Sequence, residues 1–124
     1  MRQQNARPSD RGLAARDVAA PMKQWLYRIQ ALRLEMLVSG GTEEERAVLD
    51  QHFAYLQRLC DEGTVQLAGR STLEDYHSFG IVIFQAPDED AALAIMRNDP
   101  GVQQRLFRAE LFPWRTALPQ PAGK

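Results

Sequence analysis

A chain of 124 residues has room for one core, since single domains typically span about 100 to 150 residues. With 44% hydrophobic residues, 25% charged residues and a formal net charge of -1, it has no cationic surplus to grip a phosphate backbone, so no nucleic acid partner is expected. Its single cysteine, Cys60, can form no internal disulfide and lies in no metal-ligand spacing, and no apolar run reaches the roughly 18 to 20 residues that cross a bilayer. The expectation is a cytoplasmic protein held by packing alone, without a membrane partner.

Residues 1–21 carry Arg2, Arg7, Arg11 and Arg16 among scattered Ala, Gly and Pro, without a sustained apolar period. This composition predicts a disordered N-terminal extension, with Asp10 and Asp17 arguing against a transit peptide; the patterned sequence begins at Met22. From Trp25, the residues Trp25, Tyr27, Ile29 and Ala31 alternate with Leu26, Arg28, Gln30 and Leu32, the period of a strand with one buried face. Leu32 to Gly41 then reads as a connection closed by Ser39-Gly40-Gly41.

A helix over residues 42–62 follows from Thr42 and Glu45 at capping-box spacing, acids in the first turn and Gly63 as a left-handed stop. Its apolar stripe runs through Val48, Leu49, His52, Phe53, Leu56, Leu59 and Cys60. Val65 to Ala68 and Gly80 to Ala86 read as an antiparallel hairpin around the polar loop Arg70 to Phe79. Pro87 ends the hairpin, and Asp88, Glu89 and Asp90 open a short helix through Ala92, Ile95 and Met96 that Asn98-Asp99-Pro100 stops. A last strand, Leu106 to Trp114, precedes a flexible tail at 119–124 containing Pro119 and Pro121.

The order βαββαβ predicts an α+β, ferredoxin-like domain over residues 22–118, with a four-stranded antiparallel sheet and both helices on one face. Ile81-Val82-Ile83-Phe84 is apolar at consecutive positions, so both its faces want burial, yet two helices cover only one. The sheet of a second copy is the simplest cover, which makes a homodimer the expected assembly.

Among polar residues, His52 faces the interior on the helix stripe and can exchange a proton near neutral pH, although a histidine so placed is more often a hydrogen-bonded core residue. Asp99 sits at the negative end of the second helix and needs a donor nearby, unless Asn98-Asp99-Pro100 is only helix-stop chemistry. Arg33 and Arg70 could hold a substrate carboxylate through their forked donors, and Ser78 and His77 are further candidates, with solvated surface the default for all four. The sequence contains no phosphate-cradling glycine loop, nucleophile elbow or zinc spacing, so neither metal nor cofactor is expected.

Several segments together resemble the YciI-like (YCII-related domain) proteins. They are Trp25-Leu26-Tyr27, His52-Phe53-Ala54-Tyr55-Leu56, Leu67-Ala68-Gly69-Arg70, Phe79-Gly80-Ile81-Val82-Ile83-Phe84, Ile95-Met96-Arg97-Asn98-Asp99-Pro100 and Ala109-Glu110-Leu111-Phe112-Pro113-Trp114. Where relatives often read Arg-Pro-Asp after the first strand, this chain has Arg33-Leu34-Glu35. The resemblance implies a ferredoxin-like protomer paired as a dimeric α/β barrel, with His52 and Asp99 as an active-site pair in a cleft between sheet and helices. It also implies kinship in architecture with muconolactone isomerases and small monooxygenases, and with a branch that resembles dehydrochlorinases of chlorinated hydroxyquinones.

The function expected on these grounds is a cofactor-independent lyase or isomerase that moves a proton on a small oxygenated ring or acid, with His52 and Asp99 catalytic and Arg33, Arg70 and Ser78 contacting substrate. The alternative is a non-catalytic protein that holds a small aromatic or carboxylate ligand in the same cleft.

Overall fold

The computed structural model describes residues 21–121. Apart from Pro21, the expected N-terminal extension lies outside the described residues, as do residues 122–124 of the expected tail. The elements, in chain order, are β1 (Lys23–Ala31), α1 (Glu35–Ser39), α2 (Glu43–Asp61), β2 (Val65–Arg70), β3 (Gly80–Ala86), α3 (Glu89–Arg97), α4 (Pro100–Gln103) and β4 (Phe107–Trp114). The strands form one antiparallel sheet in the order β2-β3-β1-β4, which is the ferredoxin-like arrangement.

The local signals act as their chemistry requires. The Thr42 side chain accepts from the Glu45 N–H and the Glu45 carboxylate accepts from the Thr42 N–H, so two otherwise unpaired amides at the start of α2 are satisfied. Gly63 leaves α2 at a φ of 85°, a conformation that costs a residue with a Cβ. The Asp88 carboxylate caps α3 by accepting from Ala91 N–H.

Two elements differ from expectation. The segment read as a plain connection contains α1, anchored by buried Met36 and closed at Gly40 with a φ of 86°; five residues are too few to produce a detectable apolar period. The stop at Asn98-Asp99-Pro100 is also a start. Asp99 caps α4 by accepting from Gly101 N–H, so its carboxylate faces the positive end of that turn.

On the helix-covered face of the sheet, Trp25, Tyr27 and Ile29 of β1 meet Val82 and Phe84 of β3, and pack with Leu56, Leu59, Ala92, Met96 and Phe107 into one core. The α2 stripe is narrower than its spacing predicts. His52, Leu56 and Leu59 are buried, whereas Leu49, Phe53 and Cys60 are exposed. The sheet's other face carries Leu26, Ile81, Ile83, Leu67, Phe112 and Trp114, in register across all four strands and without a helix over them among the described residues. Leu67 is 53% exposed, Phe112 42% and Trp114 41%, so the surplus apolar surface predicted from Ile81 to Phe84 extends over the whole open face.

Candidate active site

Asp99 is wholly buried, and an ionised carboxylate stripped of water is costly unless donors surround it. Three donors do. His52 Nδ1 lies 2.7 Å from Oδ1 and 2.9 Å from Oδ2, the Tyr27 hydroxyl donates to Oδ2 at 2.7 Å, and Gly101 N–H donates to Oδ1 at 2.9 Å. They come from α2, β1 and the first turn of α4, so the carboxylate joins three separate elements.

Against an ionised Asp99, Nδ1 carries the hydrogen of a neutral imidazole, and the lone pair falls on Nε2. No described residue hydrogen-bonds Nε2. The ring is held edge-on to Phe107, with centroids 5.0 Å apart, and it forms part of the wall of a cavity of about 520 Å³. Gly101 makes this approach possible: a Cβ there would stand 2.6 Å from Phe107 Cδ2 and 3.3 Å from His52 Nδ1.

The cavity lies between the helix-covered side of the sheet and α1 and α2. Its wall is largely apolar, built from Ile29, Met36, Leu49, Phe53, Leu56 and Phe107 among others. Leu49 and Phe53 therefore keep their place on the α2 stripe but face this space instead of packed core. Arg70 and Ser78 also line it, as does Arg46, which sequence reasoning passed over. Ser78 is buried, with its hydroxyl 3.3 Å from that of Ser71.

Arg33 stands elsewhere. Its guanidinium makes a two-pronged pair with Glu45 at 2.7 and 2.8 Å and lies off the cavity wall, so the geometry gives it a tether between the start of α1 and the start of α2. This guanidinium and the Thr42 amide hold the Glu45 carboxyl down at about 2. His77 is exposed and paired with Asp75 at 3.3 Å. Among the described residues no group of three or more His, Cys, Asp or Glu could hold a metal ion, and no helix is long and apolar enough to cross a membrane.

Tyr27 is the site residue hidden from sequence reading, where it appeared only as an inward strand position. Burial pushes its hydroxyl far above the ordinary value of 10.0, and the charge and hydrogen bond of Asp99 add to the effect. Burial and the same charge push Tyr55 up to about 12. Above about pH 10 the unfolded chain therefore binds fewer protons than the folded one, and stability falls as pH rises. In an alkaline titration, phenolate absorbance from Tyr27 should emerge only with unfolding, and the Tyr27→Phe variant should show a smaller alkaline loss of stability than the parent chain.

The sequence profile of the YCII-related domain matches residues 26–115. The chain belongs to the YCII-related domain family. A search of the curated proteins finds no match. Among solved structures, this YCII-related chain is similar to 5-chloro-2-hydroxyhydroquinone dehydrochlorinase from Burkholderia phenoliruptrix AC1100, solved in complex with 2,5-dihydroxybenzoquinone. The identity is 21%, the TM-score is 0.56, and the alignment covers 74% of this chain and 93% of that one. At that identity the likeness establishes a shared fold, and function has to be argued from the site.

Proposed function

We propose that this YCII-related protein is a cofactor-independent small-molecule enzyme of the lyase or isomerase type, with residues 22–118 as its functional unit. His52 Nε2 takes a proton from a ring or acid bound in the cavity, while Asp99 fixes the tautomer and stabilises the imidazolium that forms. Tyr27 and Gly101 hold Asp99 in place. Arg70 and Ser78 contact the substrate. The observation that carries this reading is the buried carboxylate on His52 Nδ1, combined with the ring's position on the wall of a cavity large enough for a single-ring compound.

The dehydrochlorinase neighbour supports chlorinated hydroxyhydroquinones as the first substrates to try. In that reaction one hydroxyl hydrogen would shift to the chlorine-bearing ring carbon, His52 would accept the proton of a second hydroxyl, and chloride would leave with the electron pair of the carbon–chlorine bond, so that the ring loses HCl and becomes a hydroxyquinone. Chloride release followed with an ion-selective electrode should occur with the parent chain and vanish with His52→Gln. Release at an unchanged rate from His52→Gln would refute the assignment. Tight binding of the same compounds, with no chloride released and no isomer formed, would favour a ligand-holding protein instead.

We further propose that two copies pair through their open sheet faces as a dimeric α/β barrel. The exposed apolar residues on that face support this, as does Arg28 Nε, which is buried yet has no hydrogen-bond partner among the described residues. Sedimentation should give a dimer that survives dilution. A folded monomer at micromolar concentration would contradict it.

A further inference from the structure

The arginines at the cavity differ in what holds them. The Arg33 charge is cancelled locally by Glu45 at 2.7 Å and Glu35 at 3.6 Å. Arg46, by contrast, donates from Nη1 to the Gly41 carbonyl at 2.7 Å and reaches the Gly40 carbonyl at 3.5 Å. Arg70 donates from Nε to the Ser71 carbonyl at 2.9 Å and from Nη2 to the Leu73 carbonyl at 3.3 Å. Carbonyl oxygens orient a guanidinium without neutralising it, and neither arginine has a carboxylate partner among the described residues.

Arg46 and Arg70 both line the same cavity, and the rest of its wall is dominated by aliphatic side chains and the rings of Phe53, Phe79 and Phe107. Glu45, the acid on that wall, is already engaged by Arg33 and by the Thr42 amide. Two oriented, unneutralised cations beside apolar surface form a receptor for an anion with an apolar body, because charge-assisted hydrogen bonds are about twice as strong as neutral ones.

We propose that the cavity takes a small cyclic or aromatic acid as its anion, with the charge held by Arg46 and Arg70 and the ring against the apolar wall that ends at His52. This rests on the cavity being the ligand site of the proposed function, but not on turnover there. It makes Arg46, and not Arg33, the partner of Arg70.

The test is calorimetric titration of the full chain with salicylate and, separately, salicylamide, which share a ring and a hydroxyl but differ in charge. Salicylate should bind at least about tenfold tighter, and Arg46→Gln or Arg70→Gln should each cost about tenfold of that affinity while leaving the amide unaffected. Arg33→Gln should leave both affinities where they were. Equal affinity for acid and amide, no binding of either, or a preference that survives both substitutions would overturn the proposal. A chain that prefers the acid yet turns over no substrate would count against proton transfer while leaving the anion preference intact.

Discussion

Asp99→Asn should leave the protein folded and cut turnover by about three to four orders of magnitude, as expected when a histidine base loses the acceptor that sets its tautomer. The reason lies in which atoms face His52 Nδ1. Both carboxylate oxygens are within 2.9 Å of it, so Nδ1 donates and Nε2 keeps its lone pair. An asparagine can still accept from Gly101 N–H, and its amide group can pair with the Tyr27 oxygen once the hydroxyl rotates. That amide group, at the Oδ2 position 2.9 Å from Nδ1, then donates to Nδ1 in competition with the carbonyl at the Oδ1 position, 2.7 Å away, which shifts the hydrogen toward Nε2 and withdraws the base from the cavity. Nitrogen NMR of the imidazole should report the changed tautomer, and thermal unfolding should report a preserved fold. Full turnover in a folded Asp99→Asn variant would show that His52 does not depend on the carboxylate.

Gly101→Ala should destabilise the protein by about 1–3 kcal/mol and also depress turnover, although Gly101 carries no chemistry of its own. Its new methyl would stand 2.6 and 2.7 Å from two atoms of the Phe107 ring, and Phe107 is part of the buried core, so the ring has little room to yield. Ordinarily a Gly→Ala change in a helix gains about 0.4–1 kcal/mol by restricting the unfolded chain, and the clash outweighs that gain. The same methyl would lie 3.3 Å from His52 Nδ1 and crowd its contact with Asp99. Chemical denaturation measures the first effect, and chloride release per folded molecule measures the second. A variant as stable and as active as the parent would mean that Phe107 moves aside freely.

Features set by neighbouring residues could be read from the sequence. Thr42 and Glu45 are three residues apart and make their capping box in any context that permits a helix, and Gly63 and Asp88 act within one turn of themselves. The unusual run Ile81 to Phe84 announced a sheet with two faces to cover. What depended on distant partners was hidden. Tyr27 and Asp99 are 72 residues apart, so nothing near Tyr27 distinguishes its hydroxyl from that of any inward strand tyrosine. Nothing in the sequence marks Arg46 as a cavity cation or bars Arg33 from that role. They separate only once the fold brings Glu45 to Arg33 and leaves Arg46 on a glycine carbonyl. Leu49 and Phe53 were legible as an apolar stripe, but periodicity cannot tell a side chain that fills a core from one that lines an empty space.

The carboxylate shared by Tyr27, His52 and Gly101 also bears on how the domain comes together. If β1, α2 or α4 were detached while the rest stayed packed, Asp99 would remain in the interior with one donor missing, at a cost a partly folded chain has little to offset. Partial states are thereby raised in energy relative to both the complete fold and the fully solvated chain. The group proposed to hold the base thus also favours all-or-none folding, so that the reactive geometry and the folded domain appear and disappear in a single transition.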